Sequence, residues 1–169
     1  MTSRMRYLSP KADLTFKKVF GEHPNLIKSL LNALLPFERP EEEIVGVEYL
    51  PNNALRPDPW RRNCLLNMVC RNKGGQSYMM EILMMWSSMF RGRVGFHASK
   101  AYVRQLEVLD KGALKVPQLT QPLYSINLLN ETFDSNSDTW YHYYPQVYAE
   151  DTDKVIEGLR FIFVELPKF

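Results

Sequence analysis

The stretch CLLNMVCRNKGGQSYMMEILMMW, residues 64 to 86, sets one acid, Glu81, inside an otherwise apolar run. The run reads as two β-strands over 62–72 and 76–86, joined by Lys73-Gly74-Gly75. Residues two apart on a strand share a face, so Glu81 lies with Met79, Leu83 and Met85. With Asn72 paired to Gln76, Asn67 stands opposite Glu81, and its amide could donate a hydrogen bond there. Burying a carboxylate in such a strand is costly unless it is hydrogen-bonded, metal-bound or protonated. That residue choice marks a candidate site.

Other groups with chemical potential are scattered. Asp13 suits the first turn of a helix, where an acid is favoured by the dipole. Pro57-Asp58 precedes Glu81, but Pro59 makes that segment a turn. His97 has the commoner role of a helix histidine against the core, and three histidines along the chain form no zinc pattern. Arg93, Lys100 and Arg104 share one side of a helix with His97; such a stripe is a solvated face or a phosphate contact. Trp60, Trp86, Trp140 and the tyrosines of WYHYYPQVY fit sheet packing better than base stacking.

These groups need elements to position them. SPKADLTFKKVFG offers a short helix stopped by Gly21. HPNLIKSLLNALLP offers a second, with a stripe of Leu26, Leu30, Leu31, Leu34 and Leu35. EIVGVEYLP is a strand and NNALRPDPWRRN a loop. The longest helix runs from Ser87 or Ser88 to about Leu109, with an apolar arc of Phe90, Val94, Ala98, Ala101, Tyr102 and Leu109. LYSINLLNETF is a buried strand, and WYHYYPQVYAED and LRFIFVEL are closing strands. The order predicts an α/β fold: a mixed sheet covered by helices, with the hairpin in its interior.

The 169 residues, 45% hydrophobic and 24% charged, form one globular domain, 1–169. The net charge of +2 excludes no class of partner. Cys64 and Cys70 lie on one face of one strand, too far apart to bond, and read as reduced core thiols of a cytoplasmic protein. No apolar run approaches the ~20 residues of a membrane span, and the chain opens without a signal peptide. Six of the eight methionines fall between Met68 and Met89, which points to an adaptable core.

LSPKADLTFKKVFGEH, LLNALLP, IVGVEYLP, HASKAYVRQLE, YSINLLN and FVELPKF, in that order, resemble the PD-(D/E)XK nuclease-family transposases, relatives of the recombination-promoting nucleases. The resemblance covers nearly the whole chain. It implies a restriction-endonuclease-like core and DNA as partner, in recombination. It also implies a hairpin whose two carboxylates hold Mg²⁺ against the scissile phosphate, with a glutamine or lysine positioning the attacking water. Carried over residue by residue, the first acid falls on Asn67, the second on Glu81 and the glutamine or lysine on Leu83. Met85 stands where the family carries another acid. Asp13, in the first-helix motif, is then a candidate second carboxylate, with Glu81, for the metal. The resemblance further implies a C-terminal continuation, so that 1–169 reads as the N-terminal part of a longer protein.

The expected function is a degenerate DNA endonuclease-like domain, weak or inactive. Its alternatives are an active Mg²⁺-dependent endonuclease using Asp13 and Glu81, and a non-catalytic DNA-binding or protein-interaction module. Arg93, Lys100 and Arg104 are the expected DNA contacts. Nothing in the sequence sets an oligomeric state.

Overall fold

The computed structural model describes residues 13–50, 64–85, 94–96, 98–103, 122–145 and 158–169, with the backbone alone for Asp13, Leu14, Cys64 and Met85. Helices α1 (Asp13–Glu22) and α2 (Pro24–Leu34) precede strands β1 (Ile44–Tyr49), β2 (Cys64–Asn72) and β3 (Ser77–Met85). Strands β4 (Leu123–Leu129), β5 (Tyr141–Tyr144) and β6 (Leu159–Glu165) follow. One sheet takes all six strands in the order β1-β2-β3-β4-β6-β5. The β1–β2, β2–β3 and β5–β6 pairs are antiparallel, and β3–β4 and β4–β6 are parallel.

The hairpin forms as its turn chemistry predicts. The Asn72 amide N–H donates to the Gln76 carbonyl at 2.9 Å, and Gly75 takes φ +82°, a conformation that favours glycine. This register sets Asn67 opposite Glu81. Both hairpin strands are interior to the sheet, as their two-sided apolar pattern requires.

Helices α1 and α2 cover one face. Phe16, Ile27, Leu31 and Leu34 pack there against Leu66, Met68, Met80, Ile82 and Ile126. Phe16 and Phe20, four apart on α1, bring their rings to 4.7 Å. On α2 the buried stripe is Ile27, Leu31 and Leu34; Leu26, expected in it, is 47% exposed. Leu26 lies about 100° around the helix from Ile27, which puts it off the arc. The Asn32 side chain both donates to the Ile44 carbonyl (3.0 Å) and accepts from the Ile44 N–H (2.8 Å), which ties α2 to the start of the edge strand.

The other face carries Glu81. Residues 94–96 and 98–103 are helical, and Val94, Ala98 and Ala101 are buried. Val94 packs with Leu83 and Leu129, and Ala101 with Met79 and Leu123; Leu83 and Met79 flank Glu81 along β3 on the same face. Small side chains let the helix come close. Tyr102, expected in the apolar arc, is 39% exposed: four residues beyond Ala98, it falls outside the narrow contact stripe 94/98/101. Phe90, His97, Leu109, Trp60 and Trp86 lie outside the described residues or side chains. Cys70 is a buried free thiol whose pKa burial pushes up to about 12. No helix among the described residues is long and apolar enough to cross a membrane.

Candidate active site

Strand register builds the site. Asn67 on β2, Glu81 on β3, Ser125 on β4 and Phe161 on β6 form one row across the sheet. The next row on that face is Leu65, Leu83, Asn127, Phe163 and His142. Glu81 is 1% exposed. Its Oε1 accepts a hydrogen bond from the Ser125 hydroxyl at 2.8 Å, while its Oε2 has no partner among the described residues. Burial pushes the Glu81 carboxyl up to about 7, against the opposing pull of the Ser125 hydroxyl. The donor expected on Asn67 is therefore supplied from the other side: the carboxylate leans to β4, where Ser125 stands in register. Asn67 is itself buried opposite Glu81.

Asn127 extends the polar row. Its Nδ2 donates to the Ser125 carbonyl (3.0 Å), the Ser125 hydroxyl (3.3 Å) and the Ile162 carbonyl (3.3 Å). Its Oδ1, fully buried, has no partner among the described residues. Neither Ser125 nor Asn127 stood out in the sequence. Their signal is the alternation in Tyr124-Ser125-Ile126-Asn127-Leu128, two polar residues on one face of a strand that is buried throughout.

A second buried carboxylate lies on the same face at the far end of the parallel strands. Glu165, 0% exposed, accepts from His142 Nε2 (2.7 Å), Lys168 Nζ (3.0 Å) and the Phe133 amide N–H (2.7 Å). Lys168 also donates to the carbonyls of Asp134 (2.5 Å), Ser137 (2.6 Å) and Thr139 (3.2 Å). Burial raises the Glu165 pKa, but the hydrogen bonds from Lys168, Phe133 and His142 outweigh it and hold this carboxyl below the usual range.

The other expected site residues are distributed as follows. Leu83 is fully buried against Val94 and Leu129. Asp13 opens α1, and that helix seats Phe16 in the core on the face opposite Glu81; the Asp13 carboxylate is outside the described side chains. Lys100 is half-buried with its ammonium 5.0 Å from the centre of the Phe96 ring. Arg93 and Arg104 lie outside the described residues.

Mg²⁺ asks for hard oxygen ligands, as a rule with one or two carboxylates plus phosphate and water. At the three positions to which the resemblance carries the family's motif, the hairpin offers one carboxylate, one neutral amide and one alkyl group. No group of three His, Cys, Asp or Glu side chains among the described residues could hold a metal. The hairpin positions do not fit a divalent ion clamped on a phosphate.

The model of the PD-(D/E)XK nuclease family transposases matches residues 10–169. No curated protein and no solved structure gives a match. The six-stranded mixed sheet, helices on both faces and an acid on the second strand of an interior hairpin agree with a restriction-endonuclease-like α/β fold. By the extent of that match, which runs from the start of α1 through the last strand, the chain belongs to the PD-(D/E)XK nuclease family transposases.

Proposed function

We propose that this chain is a DNA-binding member of its family whose nuclease centre is degenerate, weak or inactive as a Mg²⁺-dependent endonuclease in the cytoplasm. One observation carries the reading. Glu81 is the single carboxylate in its row, and its neighbours Asn67, Leu83, Ser125 and Asn127 are all neutral. A Mg²⁺ arriving there gives up water ligands that one carboxylate and neutral oxygens replace poorly. Burial adds a further cost, since the metal and its phosphate would have to reach a carboxylate that is only 1% exposed.

DNA is the partner that the family suggests. Arg93, Lys100 and Arg104 are the proposed phosphate contacts, spaced to project from one side of a helix. Binding through them weakens steeply with salt, because each neutralised phosphate releases counterions. Changing the three to alanine is expected to flatten the salt slope by roughly one unit per lost contact. Unchanged binding would remove the stripe from the interface.

The catalytic half is tested with supercoiled plasmid in Mg²⁺ or Mn²⁺, comparing the parent with Glu81→Ala and Asp13→Ala. The expected result is no nicking above background in any of the three. Strong metal-dependent nicking by the parent, lost in both variants, would instead establish an active endonuclease built on Asp13 and Glu81.

A further inference from the structure

The helical residues 94–103 turn two unlike faces outward and inward. Val94, Ala98 and Ala101 are buried against the sheet. At about 100° per residue, Phe96 and Val103 fall half a turn away from that stripe, seven residues apart, and they are 56% and 59% exposed. Large apolar groups on the pole of a helix contribute nothing to the core beneath it. Gly95 precedes Phe96 without a side chain, and a Cβ there would meet nothing within 4 Å, so a flat group has room to approach the ring.

The charges around this pole are all of one sign. Residues 82–106 contain four cations, Arg91, Arg93, Lys100 and Arg104, and no Asp or Glu. Phe96 comes three residues after Arg93 and four before Lys100, so the aromatic ring stands within the basic stripe, with the Lys100 ammonium 5.0 Å from its centre. That pattern suits a polyanion with flat faces. A second copy docked on the same face would set cations against cations. A lipid surface needs more apolar contact than one phenyl and one isopropyl group, since even a myristoyl chain binds only marginally.

We propose that Phe96 stacks on a base of an unpaired DNA strand whose phosphates lie along Lys100 and the arginines of the stripe. The inference rests on the reading of this chain as a DNA binder and goes beyond it in naming the form of DNA and the contact. Phenylalanine has no group to hydrogen-bond a base edge, so the stack selects unpaired bases and not a sequence. An intact duplex would first have to be unstacked, a cost that a single strand spares.

The experiment is equilibrium binding of the full chain to a labelled single strand of about 16 nucleotides and to its duplex, at several salt concentrations. The single strand is expected to bind more tightly. Phe96→Ala weakens that binding about tenfold, the order of one base–aromatic stack, and leaves duplex affinity and both salt slopes unchanged. Phe96→Trp retains the affinity, and Phe96→Leu, apolar without a π face, loses it as alanine does. Duplex binding by each variant serves as the control for folding. Equal affinity of the parent for the two forms, or a Phe96→Leu protein that binds like the parent, overturns the stacking inference alone and leaves the DNA reading standing. Binding to neither form overturns both, and Phe96-dependent binding to anionic phospholipid vesicles in its place would assign the face to a lipid surface.

Discussion

Glu81 and Glu165 are buried to the same degree on the same face of one sheet, yet they are treated in opposite ways. Glu165 is saturated: an imidazole, an ammonium and a backbone amide all donate to it, and it is held ionised. Glu81 has one hydroxyl donor, one oxygen without a partner among the described residues, and a carboxyl pushed up to about 7. The first is a structural knot that ties the 130–140 segment and the chain end to β5 and β6. The second is left with one donor among the described residues, and burial holds it toward its neutral form. Burial alone does not separate them; the count of donors does.

The contrast breaks most visibly at Glu165. Glu165→Ala leaves Lys168, His142 and the Phe133 amide without their common acceptor, and is expected to cost about 3–5 kcal/mol. Urea unfolding at pH 7 measures it. A loss under 1 kcal/mol would mean that the knot is decorative.

At Glu81 the sign reverses. Its folded pKa lies above the ordinary 4.5, so the associated stability is fully present below pH 4.5 and lost as pH rises through about 7. Stability is expected to fall by about 3 kcal/mol across that window, and Glu81→Gln to flatten the fall. Glu165, with a lowered pKa, acts in the other direction: its contribution is present above the ordinary carboxylate range and lost as pH falls through its depressed value. Urea midpoints between pH 3 and 8 resolve both limbs. A flat profile from 4.5 to 7 contradicts the description of Glu81.

Two smaller changes sharpen the comparison. His142→Phe removes one of three donors to Glu165 and is expected to cost about 2 kcal/mol. Ser125→Ala at pH 5, where Glu81 is mostly neutral, is expected to cost only about 1 kcal/mol. It also removes the group that opposes burial, so the window of pH-dependent loss moves upward. Equal costs for the two substitutions would erase the distinction between the centres.

Local chemistry made the hairpin legible in the sequence. The Gly-Gly turn fixes the register, and the register fixes Asn67 against Glu81. The partner of Glu81 was not legible, because it depends on β4 lying parallel beside β3 after a long crossover. No local pattern encodes that register, so Ser125 and Asn127 read only as members of a buried strand. The Glu165 knot was hidden for the same reason: His142 and Phe133 reach it from 23 and 32 residues away. Leu26 and Tyr102 show a different limit, since each is apolar and near a stripe, but one helical step off the contact arc.

The central claim, that the hairpin is a nuclease centre emptied by substitution, is tested most directly by restoring it. Asn67→Asp with Leu83→Gln returns a carboxylate opposite Glu81 and an amide beside it, in positions whose register already matches. Leu83 is fully buried, so the amide lowers stability, and two facing carboxylates repel until a metal joins them. The predicted result is a restored protein that Mg²⁺ stabilises and that nicks supercoiled plasmid, beside a parent that does neither. Mg²⁺-dependent nicking by the unaltered parent, abolished by Glu81→Ala, would contradict the claim.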